Sequence, residues 1–173
     1  LILFFIVWSN VWSQNLPSHL YASENTTIVY EGIHGSKRMS EDGKLGNLDV
    51  GYQGIYGVPV EGQVLLKFKL PVVPEGYEVE TALLYFPIKG GVIQGAASFS
   101  LKASSSLNHN WTQNEVSNAT LPTPIAGSTI ARSVAMNAPT TKPVIGPYDF
   151  TSYVSNEIYK SNPHATFIFS TFS

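Results

Sequence analysis

The residues best equipped for chemistry stand together in Asn108-His109-Asn110-Trp111-Thr112-Gln113. An indole between two amides suits sugar recognition. Its flat apolar face stacks on the axial hydrogens of a pyranose, and the amides bond the hydroxyls. Tyr52 and Tyr56, set around Gly54 and Gly57, offer two more rings. The candidate ligand-binding set is therefore Trp111, Tyr52, Tyr56, Asn108 and Gln113, with His109 as a polar neighbour. The same side chains also have an ordinary structural reading. Trp111 can plug one end of a core and Tyr52 can pack over a strand, because aromatic residues dominate burial. Lys67 and Lys69 share a strand face at i and i+2. They could attract an anionic polysaccharide or simply form a solvated outer face.

Catalysis finds less to work with. A glycosidase needs two facing carboxylates about 5 to 9.5 Å apart. The chain has three Asp and nine Glu, mostly in turn-like or charged stretches. Glu78 and Glu80 share a strand face that reads as solvent-facing. His19, His34, His109 and His164 are scattered, with no HExxH pair, and no G-x-S-x-G elbow is present. These observations point to a non-catalytic protein with no cofactor. Glu24, Asp42 and Asp49 lie near loops and are candidates for a structural calcium, although their spacing is not that of an EF-hand.

Three Asn-X-Ser/Thr sequons, at Asn25, Asn110 and Asn118, are candidate glycosylation sites. They accompany an apolar opening, Leu1 to Trp8, that matches the hydrophobic core of a secretory signal. Val11-Trp12-Ser13 fits a cleavage site. Residues 1–13 are thus read as a signal-peptide remnant and 14–173 as one domain. The alternative for the opening stretch is a buried first strand that, if retained, could pair with a neighbouring copy. The sequence opens on Leu1 and stops after a strand-like run at Ser173, which reads as a fragment truncated at its C-terminus. Such a chain is expected to be extracellular or at the cell surface. A net charge of −2 gives no basic footprint for nucleic acid, and no apolar run reaches the roughly 20 residues of a membrane helix. Cysteine is absent, so stability must come from the core, and 173 residues suffice for one.

The elements that must position these groups are strands. In Val64–Pro71, Leu66, Phe68 and Leu70 alternate with Lys67 and Lys69; in Val79–Phe86 both alternating sets are apolar. The pair reads as two strands joined by a turn, the second inside a two-layer fold. Thr26–Tyr30, Leu48–Tyr52, Ser98–Ala103, Thr129–Val134 and Ala165–Ser170 are further strand candidates. Gly32–Gly46 reads as a loop, and Trp111–Pro124 as a long excursion. Pro139, Pro143 and Pro147 break the stretch before Phe150, Val154 and Ile158, whose spacing of four predicts one short helix capped by Thr151 or Ser152. The expected fold is all-β: an antiparallel β-sandwich of seven to ten strands with one short helix.

Several blocks occur in the order found in the DNRLRE domains, also called family 96 carbohydrate-binding modules. Leu48-Asp49-Val50-Gly51 resembles that family's L-x-V-G strand, Val64–Pro71 its next strand, and Glu80-Thr81-Ala82-Leu83-Leu84 the one after. Asn110-Trp111-Thr112-Gln113, with Val116, Asn118 and Pro122, is similar to its Trp motif. Tyr148–Val154 is similar to its fDVTsyV block, and Ala165–Ser170 to the strand that follows. Gln113 stands where the family usually has Glu, and Asn118 where a second Trp is common. The resemblance spans about residues 24 to 170. It implies a jelly-roll sandwich acting as an accessory or surface module that binds polysaccharide. A structural cell-wall, coat or filament subunit, self-associating through an open sheet edge, is the alternative.

Overall fold

A computed structural model describes residues 3–10, 16–20, 22–31, 51–55, 58–87, 98–112, 114–116, 120–135 and 144–170, with side chains placed for a subset of these. Ten strands are described: β1 Leu3–Asn10, β2 Leu16–Leu20, β3 Ala22–Glu31, β4 Gly51–Ile55, β5 Val58–Lys69, β6 Tyr77–Pro87, β7 Ser98–Ser106, β8 Ile130–Ala135, β9 Val144–Asp149 and β10 His164–Ser170. One helix, α1 Thr151–Tyr159, precedes β10. All pairings are antiparallel and form two sheets, β2-β1-β6-β9 and β3-β5-β10-β7-β8, with β4 on β5. The chain passes from one sheet to the other between β2 and β3, β5 and β6, β6 and β7, β8 and β9, and β9 and β10. That is a jelly-roll-like winding, and it gives the expected all-β sandwich with one helix.

Alternation explains the layers. Leu66 and Phe68 of β5, Leu101 and Ala103 of β7, and Ala165, Phe167 and Phe169 of β10 point inward from the five-stranded path. Ala82 and Leu84 of β6, with Ile145 and Tyr148 of β9, meet them from the other sheet. Phe167 is central, edge-on to Phe68 at 5.8 Å and 4.8 Å from Phe150. Fully burying each such side chain is worth about 1.5–3 kcal/mol.

The two strands read as joined by a turn are not a hairpin. β5 and β6 lie in different sheets, so residues 70–76 carry the chain across the sandwich. The crossing closes with the Tyr77 N–H on the Pro74 carbonyl at 3.1 Å and Gly76 at φ +80°. β9 runs through the stretch expected to be broken by proline. Among the described strands it ends its sheet, so Pro147 needs no ladder partner on that side. Gly146 beside it has φ +138°, and a Cβ there would stand 2.8 Å from the Leu84 carbonyl oxygen. Residues 3–10, which overlap the Leu1 to Trp8 stretch read as a signal core, are laid as β1 between β2 and β6 (Phe4↔Leu20, Phe4↔Leu84).

The helix lies where the spacing placed it. No side chain caps it: Phe150 holds the cap position, and Asp149 Oδ1 instead accepts the Thr151 N–H at 2.9 Å. Thr151 Oγ1 accepts the Ala82 N–H at 2.9 Å, and the Ala82 carbonyl accepts the Phe150 N–H at 2.9 Å, which ties α1 to β6.

Candidate functional site

β10 is buried on both faces. Its inner face meets the core, and its outer face is covered by the segment joining β7 to β8. This strap, residues 107–129, includes the Trp motif. Trp111, Val116 and the half-buried Leu121 pack on Leu65 of β5 and Ile168 of β10 as a second apolar cluster. Trp111 is only 2% exposed. It is therefore not an open stacking platform, and rather than plugging an end of the core it covers the outer face of the sheet. A sheet face of Leu65 and Ile168 would otherwise meet water, and the indole is the largest apolar body in reach.

A buried polar chain holds the strap down. The indole Nε1–H donates to Thr166 Oγ1 at 3.2 Å, and His109 Nδ1 lies 3.1 Å from the same oxygen. His109 Nε2 lies 3.0 Å from Glu157 Oε2, which also accepts from Asn162 Nδ2. Indole nitrogen can only donate, so Thr166 Oγ1 accepts it and retains its own proton for His109 Nδ1. A neutral imidazole then carries its proton on Nε2, facing the carboxylate. Every donor in that order has an acceptor. Glu157 Oε1 accepts no hydrogen bond, and the Lys160 ammonium stands 3.6 Å from it.

Hydroxyl, imidazole and carboxylate in sequence invite comparison with a nucleophilic triad. Thr166 is 0% exposed and its oxygen already receives the indole N–H. In this conformation the hydroxyl has no approach for a substrate, and the arrangement works as a clasp between strap, β10 and α1. Tyr153 extends the clasp. Its hydroxyl donates to the Ser106 carbonyl at 2.7 Å and accepts the Thr166 N–H at 3.0 Å. Burial drives the Tyr153 phenol well above its ordinary range, and the nearby Glu157 pushes the same way. Tyr148, buried in the core with its hydroxyl donating to the Leu101 carbonyl at 3.1 Å, is raised to about 12, again by burial.

The lysine pair splits. Lys69 is exposed as expected, but Lys67 is 5% exposed, which corrects the solvated reading. The strap covers it. Its Nζ lies 5.1 Å from the Trp111 ring centre and donates to the Trp111 carbonyl and, at 3.4 Å, to that of His109. A charge at this position survives burial because it has partners.

Outside the clasp the strap is open. One cleft of about 370 Å³ runs past Leu107, Asn108, Thr123, Pro124 and Ile125. A second, of about 400 Å³, is lined by Asn108, Asn110, Glu115 and Thr120 over a floor of Trp111, Val116 and Leu121. Asn108 belongs to both. Its Oδ1 accepts the Asn110 N–H at 3.1 Å, and Thr112 Oγ1 donates to Glu115 Oε2 at 2.9 Å. Asn108 and Asn110 are exposed.

Of the expected ligand set, Asn108 thus lines both clefts and Trp111 forms part of the floor of the second. Gln113 and Tyr56 lie outside the described residues, as do Asn118, Asp42, Asp49 and His34. Tyr52 is on β4, its backbone opposite Glu61, and Asn25 is on β3 opposite Leu66; their side chains are not among those described. Glu78 and Glu80 are exposed. Among the described residues no group of three His, Asp or Glu could hold a metal ion, and no helix is long and apolar enough to cross a membrane.

Glu157 and Thr166 were missed by sequence reasoning. Glu157 stands at i+3 from Val154 and i+7 from Phe150, on the helix's apolar stripe. A carboxylate there was the signal that could have exposed its burial. Compared with models of known protein families and with curated proteins, the chain matches none.

Proposed function

We propose that this chain is a secreted, non-catalytic carbohydrate-binding module whose ligand lies along the strap. The observation that carries the reading is the pair of clefts meeting at Asn108. In the second, amide, hydroxyl and carboxylate groups rim an apolar floor, the combination a sugar ring's polar edge and apolar face call for. The clasp beneath keeps that floor in one shape, so ordering costs on binding are small. The resemblance to the DNRLRE modules points the same way, as do the signal-like opening and the sequons.

Glu115 is the one ionisable group among the described lining residues. Lys67, the cation offered by the sequence for an anionic chain, is committed to the strap carbonyls. The expected partner is therefore an uncharged polysaccharide, and polyuronates are disfavoured by Glu115.

The test is retention of the purified protein on insoluble neutral polysaccharides such as cellulose and chitin, with alginate and pectin alongside. Asn108→Ala and Glu115→Gln should each weaken retention by about tenfold, the loss of one good hydrogen bond. Absence of retention on every matrix, with native circular dichroism, refutes the reading. Secretion is tested separately by intact mass, which should place the mature N-terminus at Gln14.

A structural subunit is the second reading. It is favoured by β9, which ends its sheet among the described strands and carries Val144 exposed. Concentration-dependent assembly without sugar affinity would support it.

A further inference from the structure

We propose that an N-linked glycan on Asn110 seats in the adjoining cleft and closes it, so that modification governs access to the strap. This rests on the binding reading given above for the effect on ligand, but not for the seating itself.

Asn110 is the sequon asparagine that the structure sets, exposed, at a cleft mouth. Asn25 lies within β3, and Asn118 is outside the described residues. The backbone at Asn110 is held by its N–H on Asn108 Oδ1, and Thr112 closes the next turn through its carbonyl, which accepts the Val116 N–H at 3.0 Å. A sugar linked here starts within the cleft's own rim. Transfer joins Asn110 Nδ2 to the anomeric carbon of an oligosaccharide. The carbon–oxygen bond to its lipid diphosphate carrier breaks, and the amide gives up one proton.

The first residue of such a glycan is an acetamido sugar. Its apolar face and acetyl methyl match Leu121 and the floor, and its hydroxyls match Glu115, Asn108 and Thr120. The cleft holds about 400 Å³, within the roughly 300–1,000 Å³ of small-ligand sites. A covalently tethered sugar also has a high effective concentration and meets little entropic opposition to seating. An incoming polysaccharide would then compete with a resident one.

Three measurements test this. Glycopeptide mapping of the protein secreted from a eukaryotic host should find Asn110 occupied; an unmodified Asn110 overturns the proposal. Amide exchange across residues 107–125 should be at least about threefold slower in the glycosylated protein than after enzymatic removal of the sugar. Equal exchange overturns the seating. Bacterially produced protein, which carries no glycan, should be retained about tenfold more strongly on the matching polysaccharide than the glycosylated protein. Equal retention with and without the glycan overturns the gating. If neither form is retained yet exchange is slowed, the glycan seat stands and the binding reading fails.

Discussion

Replacing Thr166 with valine isolates the clasp. The two side chains have nearly the same shape and both favour strands, so β10 should keep its pairing with β5 and β7. What disappears is one oxygen. Trp111 Nε1, in a residue 2% exposed, loses its acceptor at 3.2 Å, and His109 Nδ1 loses its partner at 3.1 Å. A buried donor left unpaired costs about 1–3 kcal/mol. The His109 side chain is 11% exposed, so water recovers part of its loss. The sum is roughly 2–4 kcal/mol, equivalent to a fall in Tm of roughly 4–16 °C for a domain of this size. Urea denaturation followed by near-ultraviolet circular dichroism reads both the midpoint and the packing of the aromatic residues. The slope should be unchanged, since the surface exposed on unfolding is the same. Pairing Thr166→Val with His109→Ala in a double-mutant cycle should return a coupling of about 0.5–3 kcal/mol. A Thr166→Val protein within about 0.5 kcal/mol of the parent would refute the reasoning, because it would mean that the strap is anchored by apolar contact alone.

The lysines should behave unlike each other. Lys67→Met is expected to cost about 1.5–3 kcal/mol through lost charge-assisted bonds, and Lys69→Met less than about 0.5, both read as denaturation midpoints. Similar values would return Lys67 to the solvated face. Tyr148 is raised in the fold from 10.0 to about 12 and Tyr153 is also raised, so their contribution is full below pH 10 and is lost as pH climbs through the folded value. Stability should fall in that alkaline window, with the late phenolates at 295 nm appearing only as the chain unfolds; early ionisation of all tyrosines in folded protein would contradict it. Gly146→Ala should cost more than Gly76→Ala. Both have positive φ, worth about 1–3 kcal/mol, but only the first also drives a Cβ against backbone, whereas the second opens into free space. Equal midpoints for the two variants would contradict the close approach to Leu84.

Alternation and spacing were enough for β5, the inward faces of β7 and β10, and α1. In those elements the apolar period is unbroken, and period follows directly from backbone geometry. β9 was hidden by Pro147, since a proline tolerated on a sheet's outer strand looks the same in sequence as one that breaks a strand. The crossing of residues 70–76 was hidden because a turn's composition does not say which sheet receives the next strand.

By itself the sequence determined which residues share a face: Lys67 opposes Leu66 and Phe68, Thr166 opposes Ala165 and Phe167, and Glu157 lies along Val154 and Phe150. It determined that core burial rather than disulfides holds the chain, since it has no cysteine. Only the tertiary structure decided what covers those faces. The strap between β7 and β8 returns over the outer side of β10 and turns Lys67 and Thr166 from surface positions into buried ones. It also places Trp111 as the floor of a cleft rather than its open wall. Periodicity is a local property of the backbone, whereas burial depends on the segment that comes to lie above, here one about 55 residues earlier in the chain.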